Sequence, residues 1–374
     1  KVNLIFFSAL AALIFCFSIL FIQNFRIDAS SDTLVAQNDK DFEFYNSYKN
    51  IFKSDNFLLI AVEKNGDINK EFIKNIELIS SKLLDLEPVS QVFSFIDAPI
   101  LFLNNTSLTN LNSSKIENLR NTNLNLKKVV KEFTENPIYL NQIINSSGNI
   151  FSIIIYLNEN LEFNKAKKDY ENFIISKKEY LSVKTFYDKK RNNLIKNIRK
   201  IINDADQQHS YYLGGVEMIA SDVIDFVKND IIVFSLSVII IIIAVLFFIF
   251  RQISWVVICI LSSSYSIVVI FGILGLTQIE VTAISSNFSA LIFILSISMN
   301  IHIINYYRLL EFSDDNLSNT LKNMIWPCLY TTLTTIVAFG SLIITDIKPI
   351  VDFGFIMVIS LIISLICSFT ILPL

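Results

Sequence analysis

From Ile231 to Leu374 the chain carries ten charged residues, Arg251, Glu280, Arg308, Glu311, Asp314, Asp315, Lys322, Asp346, Lys348 and Asp352, and they cluster at the gaps between apolar runs. Hydrocarbon offers no partner to a polar group, so uncharged runs of roughly 20 residues read as membrane-spanning helices. Five spans are expected, at about Ile231–Phe250, Ile253–Leu276, Val281–Tyr306, Met324–Thr345 and Ile350–Leu374. A sixth, Val2–Ile22, precedes them. Gln23, Asn24, Phe25 and Arg26 follow it without a small-residue cleavage site, so it reads as a span rather than a removed signal. The mean hydropathy of +0.51 is too high for an ordinary soluble protein, and the excess lies in these runs.

Residues 27–230 differ sharply, being rich in Lys, Asn, Asp and Glu. Asn56–Glu63 and Val89–Ile96 read as strands flanking an amphipathic helix over Asn69–Leu86. Asn149–Leu157 and Tyr211–Gly214 read as two further strands, with a largely helical, basic stretch from Asn164 to about Asp206 between them. Two β-α-β units suggest a ferredoxin-like sandwich. The fold class expected is therefore a multi-span α-helical membrane protein. Six transmembrane helices carry an α/β ferredoxin-like periplasmic domain between the first and second spans. Its domains are 1–26, 27–230 and 231–374. Ala98–Gly148 lies between the two units and suggests no role. Leu309–Asn323 is expected to form a short amphipathic surface helix. Lys1, Arg251, Arg308 and Lys322 fall on one side of the membrane, and only Lys348 is basic in the short loops of the other. The positive-inside rule places both termini in the cytoplasm, with 27–230 in the periplasm or its equivalent.

One span is oddly polar. Ser285–Arg308 contains Ser285, Ser286, Asn287, Ser289, Ser296, Ser298, Asn300, His302 and Asn305. At about 100° per residue, Ser285, Ser289, Ser296 and Asn300 fall on one stripe, and Asn287, Ser298, His302 and Asn305 on a nearly opposite one. A helix polar on two sides needs protein neighbours on both, which makes it the inner helix of a bundle. The stripes either line an ion or water path or hold helices together, each interhelical hydrogen bond contributing on the order of 1 kcal/mol. Thr331, Thr332, Thr334 and Thr335 are expected to pack against them. His302 is the one side chain near mid-membrane of a type that titrates near neutral pH, and it shares a face with Ser298. It is either a proton carrier or a neutral helix contact. Gly272 and Gly275 fit either a hinge or a close helix crossing.

The chemistry the chain lacks narrows the function classes. Its four cysteines lie in apolar runs, so the soluble part has neither a disulfide framework nor a thiolate metal site. No Walker motif, glycine-rich phosphate loop or His/Glu zinc pattern occurs, and the only histidines are His209 and His302. No cofactor, no metal and no enzymatic activity are expected. The net charge of −3 gives no reason to expect nucleic acid. The basic run Lys189, Lys190, Arg191, Lys196, Arg199 and Lys200 reads as a solvated helix face, with anionic headgroups as the alternative.

One soluble loop followed by five closely spaced spans resembles half of a resistance-nodulation-division (RND) transporter. Leu213-Gly214-Gly215 with Asp222 and Asp230 resembles the lead-in helix of its MMPL branch. Asn56–Glu63, Gly66-Asp67 and Val89–Asp97 resemble the first porter strand, helix and second strand. Ser296–Arg308 resembles the family's fourth span, and Pro327–Gly340, with its Leu-Tyr-Thr-Thr-Leu-Thr-Thr, the fifth. Pro349, Phe353-Gly354 and Leu372-Pro373 resemble the start and end of the sixth. The second to sixth spans correspond to a sterol-sensing domain in eukaryotic relatives. The resemblance implies export of a hydrophobic or lipid-like molecule from a bacterial inner membrane. It implies as partners membrane lipids, a hydrophobic substrate and a second six-span half, in the same chain or as another copy. The chain starts without Met and stops as an apolar run ends, so a fragment of a two-repeat protein is expected. The family's fourth span carries a mid-membrane Asp that drives proton coupling. Here that position falls on Ser298 or, two residues on, Asn300, neither of which ionises. The relay candidates are thus Ser298, Asn300 and His302, with Asn287, Ser296, Asn305, Thr331 and Thr335 as polar bundle-lining residues. The missing acid leaves open a non-pumping lipid sensor or assembly partner. A Sec-type protein-export subunit shares the six-span plan.

Overall fold

Among the described residues of this computed structural model, six helices are long and apolar enough to cross a membrane, and the protein is a multi-span helical membrane protein. The structure describes residues 2–28, 44, 47–48, 56–64, 66, 68–101, 117–120, 125–206, 208–282, 284–310 and 316–374, with side chains from residue 5 onward. Lys1, Asp67, Glu311, Asp314, Asp315 and much of Ala98–Gly148 lie outside the described residues. Two compact units form, Lys1–Asn46 with Val223–Leu374, and Ser47–Asp222.

In the soluble unit, β2 (Asn56–Glu63), β3 (Val89–Ser94), β4 (Ile150–Leu157) and β5 (Ser210–Gly214) form one sheet in the order β3-β4-β2-β5. All neighbours are antiparallel. Alternation sorts the strands' faces: Leu58, Ile60 and Val62 of β2 and Phe151, Ile153 and Ile155 of β4 point into the core. Helix α2 (Lys70–Leu84) covers that face with Phe72, Ile76, Ile79 and Leu83, spaced as one helical stripe. It starts where Asn69 accepts the Phe72 N–H. Helix α3 (Leu126–Glu135) buries Val129 and Phe133 in the same core. Helices α4 (Leu161–Glu171) and α5 (Lys177–Asn203) form a hairpin, and Ser176 with Glu179 closes a capping box at the start of α5. Arg191 pairs with Asp188 and Glu217, and Arg199 with Asp222, while Lys189, Lys190, Lys196 and Lys200 remain exposed. Gly215, after β5, has φ +133, and a Cβ there would meet Leu58 Cδ2 at 2.8 Å. Only glycine fits that turn.

Burial alone would raise the Asp97 carboxyl, but the Arg120 guanidinium, the Ser94 hydroxyl and the Ser94 N–H outweigh it and hold it below the usual carboxylate range. A depressed folded value means stabilisation that is present above the unfolded value and lost as pH falls through the folded one. Asp97→Asn is expected to cost about 1 kcal/mol at pH 7. The gap to wild type should close below about pH 4. Thermal unfolding by circular dichroism across pH checks both points, and a pH-independent gap would exclude the ionic account.

The membrane unit contains α1 (Val2–Ile22), α6 (Val216–Phe250, whose first residues belong to the soluble unit), α7 (Ile253–Thr277), α8 (Phe288–Leu309), α9 (Asn316–Gly340) and α10 (Lys348–Thr370). Two boundaries differ from the hydropathy reading. Helix α6 starts fifteen residues before Ile231, because no Gly or Pro interrupts Val216–Asp230. Helix α8 starts at Phe288 rather than Val281. There β6 (Val281–Thr282) pairs in parallel with β1 (Ile27–Asp28), and the Ser285 hydroxyl accepts the Thr282 N–H at 2.8 Å. Such side-chain bonds to the backbone compete with the helix. Helix α9 begins at Asn316, inside the stretch expected as a separate surface helix. Two apolar clusters hold the bundle. One joins Ile270, Leu274, Phe288, Ile292, Ile356 and Met357; the other joins Leu246, Phe250, Val256, Phe293, Ile297 and Ile304. Gly272 and Gly275 are a close crossing: Cβ atoms there would fall 2.6 Å from Ser18 Cα and 2.0 Å from the Phe21 carbonyl oxygen of α1.

Candidate functional site

Helix α8 is the centre of the bundle. Of its most apolar window 61% is buried, against 44% for α7, 39% for α10, 11% for α9 and 6% each for α1 and α6. The sequence gives α8 an apolar side chain at most positions, with no acid in it, His302 in its second half and Arg308 in the last turn. Its polar residues therefore decide what it faces.

The first stripe faces inward. Ser285, in the turn before the helix, and Ser296 and Asn300, within it, are fully buried, and Ser289 nearly so. Ser289 Oγ lies 3.1 Å from Ser235 Oγ on α6. Asn300 Nδ2 donates to Ser263 Oγ on α7 at 2.9 Å. Asn300 Oδ1 and Ser296 Oγ are buried without a partner. The second stripe faces out of this bundle: Asn287, Ser298, His302 and Asn305 are all exposed. Two positions apart on the helix, Asn300 and His302 thus point to different surroundings. The structure does not bring Ser298, Asn300 and His302 together as one cluster.

The threonines of α9 divide similarly. Thr332 is buried, and its hydroxyl donates to Met299 Sδ at 3.4 Å. Thr331 is exposed and Thr335 half-buried, and their hydroxyls bond the carbonyls of Cys328 and Thr331 in their own helix. The sequence reading missed serines on the neighbouring helices. Ser262, Ser263 and Ser266 on α7, and Ser360, Ser364 and Ser368 on α10, are all buried. Their spacing at i, i+4 and i+8 places Ser360, Ser364 and Ser368 on one face, a signal visible in the sequence. Among the described residues no group of three or more His, Cys, Asp or Glu could hold a metal ion.

In the soluble unit, an open cavity of about 480 Å³ is lined by Ser90, Gln91, Phe93, Tyr156 and Leu157 of β3 and β4. The sheet surface of that unit exposes Phe57 and Tyr212. His209 packs edge-on against Phe72 at 4.9 Å. Burial, together with the Lys64 charge, lowers its pKa and favours the neutral ring.

A sequence model of the MMPL family matches residues 180–374, just over half of the chain, from within α5 through all five later spans. The chain belongs to the MMPL family. This assignment places it in the RND/MMPL superfamily. The MMPL match takes in Gly215, whose turn admits no side chain, and the polar helix α8. Among solved structures, the X-ray structure of a heavy metal efflux pump is similar over 85% of this chain and 34% of its own, at 11% identity and a TM-score of 0.45. The chain thus spans about a third of that pump's length. No curated protein matches the chain.

Proposed function

We propose that this chain is one repeat of an RND-type transporter that exports a hydrophobic or lipid-like molecule from the inner membrane. The observation that carries the reading is the outward stripe Ser298, His302 and Asn305 on the most buried span of the bundle. Exposed to lipid, such groups would each lack a hydrogen-bond partner, at a cost of several kcal/mol. A second six-span half, in a longer chain or as another copy, supplies the cover. In that assembly His302 is the relay candidate, with Ser298 one turn away. Both termini lie in the cytoplasm. The interleaved strand order β3-β4-β2-β5 supports a ferredoxin-like periplasmic unit. Membrane lipids and the hydrophobic substrate are the partners.

Membrane vesicles containing the protein, loaded with a fluorescent phospholipid and given an imposed pH gradient, test this. Gradient-driven movement is expected, falling at least about tenfold in His302→Ala, in the range seen when a positioned proton-transfer group is lost. Movement that ignores the gradient, or survives His302→Ala intact, sinks the relay. No movement in the wild type favours the second reading, a non-pumping lipid sensor or assembly partner. That reading draws on the absence of any carboxylate from α8.

A further inference from the structure

Arg251 and Arg308 meet at one corner of the membrane unit, where α6 ends, α7 begins and α8 ends. The Arg308 guanidinium lies over the Phe250 ring, 5.6 Å from its centroid, and Phe250 is the residue before Arg251. Phe250 is only 2% exposed, so the ring is a fixed floor under the cation. Arg251 holds a left-handed backbone, φ 52, and its N–H donates to the Phe247 carbonyl at 2.9 Å. Few long side chains take that conformation, and it sets the two-residue turn into α7. Trp255 closes the corner. Its Nε1–H donates to Gln252 Oε1 at 3.1 Å, and its ring tilts against Tyr307 at 5.9 Å. Both arginines are exposed. The start of α9 reaches the same face, where Asn323 Nδ2 donates to the Tyr306 hydroxyl at 2.9 Å. Among the described residues this face carries Arg251, Arg308 and Lys322 and no acid. The described acids of the unit, Asp28, Asp225, Asp230, Glu280, Asp346 and Asp352, all lie toward the opposite ends of the spans.

We propose that this corner binds one anionic phospholipid by its headgroup phosphate. A guanidinium presents a planar fork of donors that matches phosphate oxygens, and two of them stand here on rigid supports. Trp and Tyr rings settle at headgroup depth, which places Trp255 and Tyr307 beside the phosphate. Below the corner, Ile253 and Val257 lie one turn apart on α7 and are 67% and 47% exposed, an apolar track for an acyl chain. The site therefore asks for an anion above and hydrocarbon below. A zwitterionic lipid would bring its ammonium up against two arginines, so the anionic class is preferred. This lipid is a resident ligand rather than exported cargo, and it binds whether or not the chain transports.

The chain has two tryptophans, and Trp326→Phe leaves Trp255 as the single reporter inside the site. The full chain carrying that change is reconstituted in phosphatidylcholine vesicles without a pH gradient. Acyl-brominated phosphatidylglycerol or acyl-brominated phosphatidylcholine is then titrated in as the quencher. Half-quenching of Trp255 should need at least about tenfold less of the anionic lipid. Arg251→Gln and Arg308→Gln should each raise the amount needed about fivefold, and Lys322→Gln, on the same face, by less than about twofold. Equal quenching by the two lipids overturns the proposal, and this comparison needs neither arginine variant to fold. A loss in Lys322→Gln as large as in the arginine variants means diffuse surface charge, which overturns it as well. If excess inorganic phosphate abolishes the difference, the arginines hold free phosphate and the lipid assignment falls. Circular dichroism melts ensure that only folded variants are compared.

Discussion

Gly275→Ala detaches the first span from α7. The added methyl group would sit 2.0 Å from the Phe21 carbonyl oxygen and 2.9 Å from its carbonyl carbon. Both are backbone atoms, so no side-chain rotation relieves the clash and α1 has to retreat. That retreat weakens the rest of the crossing: the Tyr265 hydroxyl donating to the Ala11 carbonyl at 2.9 Å, the stacked Phe15 and Tyr265 rings, and the Phe25–Phe271 contact. Helices in lipid associate through close packing of this kind, with no hydrophobic drive to hold them. Overpacking costs roughly 1–3 kcal/mol, and the shared contacts bring the expected loss to the upper end. Gly340→Ala is the control, since nothing lies within 4 Å of a Cβ there. It should be neutral or slightly stabilising, because alanine favours a helix over glycine by up to about 1 kcal/mol. Thermal unfolding in detergent, followed by tryptophan fluorescence, compares the two. If Gly275→Ala melts with Gly340→Ala, the crossing is looser than described.

Phe72→Ala unfolds much of the soluble unit's stability. The ring is 1% exposed and contacts Phe95, Phe151 and His209 at centroid distances of 5.7, 5.6 and 4.9 Å. Lys64 Nζ sits 4.6 Å above its face. Truncation leaves a cavity at the contact between α2 and the sheet. Buried Phe→Ala changes cost about 3–5 kcal/mol. A unit of this size has roughly 5–15 kcal/mol in total. Phe173, 95% exposed at the tip of the α4–α5 hairpin, is the matched surface position. Phe173→Ala should stay within about 0.5 kcal/mol. Proteolysis rates of the two variants at a fixed temperature decide it, and a loss at Phe72 under about 1 kcal/mol contradicts the packing.

Elements carrying a period of their own were legible in the sequence. Helix α1 ends where hydropathy ends it, β2 matches residue for residue, and Phe72, Ile76, Ile79 and Leu83 announce the buried face of α2. Boundaries set by side-chain hydrogen bonds were not. Val281–Asn287 continues an uncharged run, so hydropathy carries the span through it, yet Ser285 holds the Thr282 backbone in a turn. The helical wheel found both polar stripes of α8. It gave no way to tell that Asn300 meets Ser263 while His302 looks outward, because that depends on where α7 comes to lie. The serines of α7 and α10 stayed hidden for a simpler reason. The spacing of Ser360, Ser364 and Ser368 could be read, but each is a small residue in an apolar run, and only the packing of α7, α8 and α10 shows what they face.

The two-residue ladder of β1 and β6 has a mechanical consequence. Ile27 and Asp28 leave the first span already paired with Val281 and Thr282, and the Val281 N–H donates to the Arg26 carbonyl at 2.9 Å. Six residues beyond Thr282 in the sequence, Phe288 begins the central helix. Displacement of one strand is therefore passed to the other through backbone bonds rather than soft side chains. The ladder works as a splice within the membrane unit: the exit of the first span and the approach to the helix that carries Asn300 and His302 are tied backbone to backbone, so neither can shift alone without breaking those bonds.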